Sequence, residues 1–177
     1  ADAYGHGSVQ VSRLLQGLGA DYRAVSSIDE AIELRHNDIT MPILILGHTP
    51  KEQVSRLIKY NITQAVTCKA KALEYSEEAV RCDGTLKIHI KVDTGMGRIG
   101  FEADQDMDTA VEEIAQVCQY TNLRCDGIFT HFSSSDEYND DSIGYTRQQY
   151  ECFMKTCDEL QKRGIHFMIR HCCNSGG

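Results

Sequence analysis

Lys91, Asp93 and Arg98 cluster around the glycines of Gly95-x-Gly97-x-x-Gly100, directly after the apolar stretch Leu86–Val92. The bare glycine pattern suggests a phosphate-cradling loop. A nucleotide loop of that kind needs a helix that starts at the glycines. Here Arg98, Ile99 and Phe101 intervene, and a helical pattern resumes only near Asp106. The segment therefore reads as a tight turn that presents Arg98, either to a ligand or simply to solvent. The stretch before it alternates. Leu86, Ile88, Ile90 and Val92 share one face, and Lys87, His89, Lys91 and Asp93 share the other. A Lys91 pointing into a protein interior needs a charge partner or a chemical modification. The alternative is an edge strand with one wet face. Thr130-His131-Phe132 ends a second apolar stretch, and His171 ends or nearly ends a third. Histidines at strand ends suit catalysis or ring stacking, although a lone histidine is more often hydrogen-bonded in a core. Asn174-Ser175-Gly176-Gly177 offers an amide, a hydroxyl and free backbone N–H groups, which could hold a phosphate or form an ordinary turn. In the opening loop Ala1-Asp2-Ala3-Tyr4-Gly5-His6-Gly7, the Tyr4 phenol could meet an anion.

These residues need a scaffold, and the hydrophobic periodicity supplies one. Helices are predicted over Ser8–Gly17, from the Ser27 N-cap with Glu30 three residues on to about Arg35, from Thr49-Pro50 onward, over Lys69–Arg81, Asp106–Gln119 and Thr146–Arg163, the last ended by Gly164. Strands are predicted at Tyr22–Val25, Ile43–Leu46, Thr63–Thr67, Leu86–Val92, Asp126–His131 and His166–His171. The Ser-, Asp- and Asn-rich stretch Ser133–Asp141 reads as an exposed loop. About six strands alternating with helices imply a parallel α/β layer structure. A doubly wound sheet and a (β/α)8 barrel both satisfy that alternation. In a barrel the polar face of Leu86–Val92 points inward, and Lys91 and Asp93 lie at the C-terminal strand end, where barrels place active sites.

Composition removes other classes. The chain has 177 residues, 41% hydrophobic and 25% charged, with a formal net charge of −8. An acidic chain is poorly suited to nucleic acid or anionic membranes, which need clustered Lys and Arg. No apolar run approaches the ~20 residues of a membrane span. Cys68, Cys82, Cys118, Cys125, Cys152, Cys157, Cys172 and Cys173 form no Cys-x-x-Cys pair. They are expected to be mostly reduced, buried residues of a cytoplasmic protein. Adjacent Cys172 and Cys173 would point to opposite strand faces, so no shared metal is expected.

Taken together, the segments Asp2-Ala3-Tyr4-Gly5-His6-Gly7, Lys91-Val92-Asp93-Thr94-Gly95-Met96-Gly97-Arg98-Ile99-Gly100-Phe101, Thr130-His131-Phe132 and His171-x-x-Asn174-Ser175 resemble, in this order, the bacterial alanine racemases. The resemblance spans essentially the whole chain. It implies a (β/α)8 TIM-type barrel binding pyridoxal 5'-phosphate, followed by a β-rich C-terminal domain. The whole of 1–177 would then be part of the N-terminal cofactor-binding barrel domain. By this resemblance Tyr4 matches the tyrosine that hydrogen-bonds the cofactor phosphate. Arg98 matches the arginine at the cofactor's phenolic oxygen. Lys91 matches a lysine that is carbamylated in many members and orients that arginine, which turns a buried cation into an anion able to pair with it. His131 matches the histidine stacked on the pyridine ring. Asn174 and Ser175 match residues beside the ring and phosphate, and His171 a histidine supporting the arginine that faces the ring nitrogen.

The resemblance also implies what lies outside these residues. The family's Schiff-base lysine is expected just before Ala1, and the ring-nitrogen arginine beyond Gly177. Six strands do not close a barrel, so the first and last strands and the C-terminal domain, with its catalytic tyrosine serving the partner subunit of a homodimer, are expected elsewhere. The 177 residues alone are expected to be inactive. The implied activity is interconversion of L- and D-alanine, supplying D-alanine for cell-wall peptidoglycan. A serine racemase of the vancomycin-resistance type, in which a membrane domain would precede Ala1, is the alternative within the family. A non-catalytic pyridoxal-phosphate carrier on the same barrel is the alternative from another class.

Overall fold

The computed structural model describes residues 2–174. Ser175, expected beside the cofactor, therefore lies outside the described residues. Six helices alternate with the strands: α1 (Ser8–Gly17), α2 (Ile28–His36), α3 (Val54–Lys59), α4 (Lys69–Arg81), α5 (Met107–Val117) and α6 (Asp140–Lys162). The strands are β1 (Arg23–Val25), β2 (Ile43–Ile45), β3 (Thr63–Val66), β4 (Leu86–Asp93), the two-residue β5 (Phe101–Glu102), β6 (Leu123–Thr130) and β7 (Ile169–Cys172).

The main sheet runs β1-β2-β3-β4-β6-β7 and every pairing is parallel, with β5 alongside the end of β4. Strand order follows chain order throughout. A doubly wound sheet reverses direction at a switch point, so this winding is that of a partial TIM-type barrel. The helices cover one face. Leu86, Ile88, Ile90 and Val92 are all fully buried in the same cluster as Ala31, Leu57, Ala72, Ile114 and Phe153 from the helices. Leu44, Ala65 and Phe129 form a smaller cluster on the opposite, concave face, with Tyr22 against it. The alternation read along β4 is therefore the division between helix layer and barrel interior.

Local signals explain most element ends. The Ser27 hydroxyl accepts from the Glu30 N–H at 3.4 Å, and Asp106 caps α5 through the Thr109 N–H at 3.1 Å. Gly164, at φ 79°, closes α6 in the left-handed region, with Ile165 N–H donating to Leu160 O. Several expectations need correction. The long helix starts at Asp140, not Thr146. Asn139 accepts from Ser142 N–H at 2.9 Å, and Asp140 and Asp141 favour the N-terminal dipole. That first turn is polar, so apolar periodicity does not register it. Thr49-Pro50 does not cap a helix by its side chain: a 3-10 turn (Lys51–Gln53) precedes α3, and the Thr49 hydroxyl is buried without a partner among the described residues. The opening loop is a tight turn, Asp2–Gly5, with Ala3 and Tyr4 in the left-handed region. All eight cysteines are free, as expected, but only Cys157 is fully buried.

Candidate functional site

The sequence first dictates a turn. Asp93 is buried at the end of β4, and its carboxylate accepts three backbone hydrogen bonds: from Gly95 and Gly97 at Oδ1, both 3.0 Å, and from Arg98 at Oδ2, 2.9 Å. Such charge-assisted bonds are the strong kind. They curl the glycine segment back over the strand end. Gly100, at φ 134°, passes so close that an added Cβ would lie 2.6 Å from Asp93 N and 2.9 Å from Lys91 O. No other residue fits there without moving the strand. The turn leaves Arg98 exposed, and its guanidinium makes no hydrogen bond or ion pair among the described residues. The segment is thus a presenting turn for Arg98, not a nucleotide loop.

Lys91 sits beneath that turn and is 4% exposed. Its ammonium donates to Val92 O at 2.9 Å and lies 5.6 Å from the Phe129 ring centroid. It makes no ion pair among the described residues, because the nearby Asp93 carboxylate is committed to backbone N–H groups. Burial, reinforced by Arg98 and opposed by Asp93, holds its pKa down to about 8.

Strand β6 supplies the next groups. Thr130 is buried, and its hydroxyl shares a 2.8 Å hydrogen bond with that of Thr94. This bond ties the end of β6 to the start of the Arg98 turn. His131 follows on the cavity wall, with its pKa lowered by burial and by the positive charges of Arg98 and Lys91. Strand β7 brings His171, stacked on Phe129 at 4.7 Å with the rings within 3° of parallel. Its Nε2 lies 3.1 Å from His89 Nδ1. One of the two nitrogens must donate and the other accept. Burial and the neighbouring His171 hold the His89 pKa down to about 4, and burial also lowers His171. The close approach of His89 depends on Gly127. A bulge shifts the register so that His89 faces Gly127, where a Cβ would fall 2.6 Å from the imidazole.

Together these strands enclose a cavity of about 810 Å³ on the concave face, walled by His89, Phe129, Thr130, His131, His171 and Cys172 among others. That is the size of a small-molecule or cofactor site. His131 and His171 are brought together on it. Lys91 and Arg98 do not line it; the Thr94–Thr130 bond ties their segment to its wall. Asn174, two residues past β7, does not line it either: its Oδ1 accepts from Ser135 Oγ at 2.6 Å and its Nδ2 donates to Asp136 at 3.2 Å, on the loop after His131. Tyr4 does not join the others. It is 92% exposed on a left-handed turn and absent from the cavity wall. His89 and Gln149 were not singled out in the sequence as site residues. His89 was visible on the polar face of β4; nothing in the sequence marks Gln149. No group of three or more His, Cys, Asp or Glu among the described residues could hold a metal ion. No helix among them is long and apolar enough to cross a membrane.

A parallel strand wall curved around a largely apolar cavity, with His131 and His171 towards its C-terminal end, is a half-barrel of the (β/α)8 class. The family model for the alanine racemase N-terminal domain matches residues 1–177, and the chain belongs to that family. An alanine racemase of Clostridium tetani is 43% identical over 175 residues, which is 99% of this chain and 44% of that protein. Alanine racemase 1 of Clostridium acetobutylicum is 45% identical over 175 residues, again 99% and 44%. The solved alanine racemase of Clostridium difficile 630 superposes with a TM-score of 0.91 at 38% identity, covering 99% of this chain and 44% of that one. The chain thus spans less than half the length of these relatives.

Proposed function

We propose that the protein carrying this chain is a pyridoxal-phosphate-dependent racemase that interconverts L- and D-alanine and supplies D-alanine for cell-wall peptidoglycan. This chain would be the part of its N-terminal barrel domain that cradles the cofactor. The observation that carries the reading is the Asp93-pinned turn, which presents an uncommitted Arg98 beside a cavity walled by His131 and His171. The same segments match a family whose relatives are named alanine racemase.

The residues present fit pyridoxal phosphate. Arg98 has free N–H donors for the phenolic oxygen, and the His131 ring lies on the cavity wall for the pyridine ring. Tyr4, exposed on a turn off the cavity wall, would reach the phosphate only if that turn were drawn in. Asn174 and Ser175 match, by resemblance, residues beside ring and phosphate, and Ser175 lies outside the described residues. His171 commits Nε2 to His89 and keeps Nδ1 for an arginine at the ring nitrogen. Bound there, the cofactor supplies the electron sink for removing a proton from the amino-acid α-carbon. This chain's residues orient and charge-balance the site. A Lys91 pKa near 8 keeps a fraction of the amine neutral and nucleophilic near neutrality. That amine would add to carbon dioxide, releasing one proton and leaving an N-carboxylate. The change would remove a buried, unpaired cation and create an anion for Arg98. The proton-transferring lysine and tyrosine are assigned to parts of the protein outside these residues, the tyrosine to the partner subunit of a homodimer. The chain by itself would then be inactive.

The names of the relatives favour alanine over serine as substrate. A cytoplasmic enzyme without nucleic-acid contact fits the formal charge of −8. Assays of the intact protein with added pyridoxal phosphate on L-alanine and L-serine test the reading. Dominant alanine turnover is expected. Dominant serine turnover would move the protein to the resistance-type branch, and no turnover of either would leave a cofactor carrier.

A further inference from the structure

Helix α6 touches both halves of the site through one face. Tyr145 and Gln149 are four residues apart and so project side by side. The Tyr145 hydroxyl donates to Gly95 O at 2.6 Å, and it occupies the space that a Cβ at position 95 would need, also at 2.6 Å. Gln149 is 0% exposed. Its Oε1 accepts from the Ser133 N–H at 3.0 Å and the Ser133 hydroxyl at 3.2 Å. Its Nε2 donates to His131 O at 3.3 Å and Thr94 Oγ1 at 3.4 Å. The amide orientation is forced, because Ser133 N–H only donates and His131 O only accepts. Burying a glutamine is unfavourable unless its polar atoms are satisfied, and a leucine of similar size would fill the volume. All the Gln149 bonds go to the strand ends and loops that bear Arg98 and His131. The loop that follows His131 is anchored to the same helix start: Ser142 Oγ donates to Glu137 at 2.6 Å.

We propose that Tyr145 and Gln149 are positioning residues that fix the Arg98 turn and the His131 loop relative to one another, so that the spacing of the two cofactor-facing groups is set from α6. This rests on the reading of Arg98 and His131 as cofactor contacts. Neither α6 residue touches the cofactor itself.

The test uses the intact protein with Tyr145→Phe and the near-isosteric Gln149→Met. Backbone hydrogen exchange is read at Gly97, Arg98 and Ser133, alongside the affinity for pyridoxal phosphate and the absorbance spectrum of the bound cofactor. Exchange is expected to rise about tenfold at Gly97 and Arg98 in Tyr145→Phe, and at Ser133 in Gln149→Met, the scale of one lost hydrogen bond. Amides of β1–β3 should not change. Cofactor affinity should fall several-fold, and the spectrum should shift, which a purely structural role would not cause. Tyr145 is partly exposed, so its variant decides the matter if Gln149→Met does not fold. Unchanged exchange at Gly97 and Arg98 in Tyr145→Phe would overturn the proposal. So would faster exchange with unaltered affinity and spectrum while Arg98→Ala weakens binding; the site reading would then stand. If Arg98→Ala also leaves binding unaltered, the site reading fails and the proposal falls with it.

Discussion

Two turns offer groups to the same proposed ligand, and they are built differently. The Asp93 turn is held by three hydrogen bonds to one buried carboxylate and is braced from α6. The Asp2–Gly7 turn uses the same device more sparingly. Asp2 Oδ1 accepts one bond, from Ser8 N–H at 2.6 Å, and the rest is backbone closure from His6 to Ala3 and Gly7 to Asp2. It also holds three consecutive non-glycine residues at positive φ: Asp2 at 48°, Ala3 at 51° and Tyr4 at 59°. That conformation is costly for residues with a Cβ. The first turn is preorganised within the fold. The second stores strain in order to present an exposed phenol. A ligand should therefore order the Tyr4 turn and find the Arg98 turn already in place.

The largest expected effect breaks the stronger side. Asp93→Ala removes three charge-assisted, part-buried backbone hydrogen bonds and should cost about 3 kcal/mol in urea denaturation of the intact protein. A cost below ~1 kcal/mol would mean that the turn is held by something else. Next comes Gly127→Ala. Its Cβ would meet the His89 ring at 2.6 Å, and a loss of about 2 kcal/mol is expected from forced repacking. An unchanged melting temperature would show that the histidine pair moves freely.

Acid separates the regions further. Burial lowers the His89 pKa from 6.5 to about 4. Between those values the unfolded chain holds the proton and the folded chain does not. Stability should therefore be intact above about 6.5 and fall as pH drops towards about 4. His89→Leu should flatten that slope, and an unaltered slope would assign the acid sensitivity to other groups. The smallest effect sharpens the weaker side. Ala3→Gly relieves one left-handed residue and should stabilise by about 1 kcal/mol. A destabilisation would show that the turn is not strained at Ala3.

The legibility of the two regions follows the same division. The inward face of β4, the turn after it and the strand–helix alternation were readable, because periodicity and glycine chemistry are local properties. Periodicity alone left a doubly wound sheet open; the resemblance implied the partial barrel, and the strand order, set by long-range pairing, agrees with it. The resemblance named Tyr4, Arg98, His131 and His171, but it did not place Tyr4 away from the cavity wall. The start of α6 escaped because a polar, capped first turn has no apolar stripe. Gln149 and Tyr145 escaped for a different reason. Their partners are backbone atoms far away in sequence, and no spacing rule reports such contacts. The bulge that seats His89 over Gly127 is likewise a property of two paired strands, not of either one alone.

The central claim is that this half-barrel holds pyridoxal phosphate between Arg98 and His131. A crystal structure of the intact protein grown with pyridoxal phosphate tests it most directly. The ring is expected against His131, the phenolic oxygen in hydrogen-bond contact with Arg98, and Tyr4 drawn in to the phosphate. A cofactor bound away from Arg98 and His131, or no cofactor bound at saturating concentration, would contradict it.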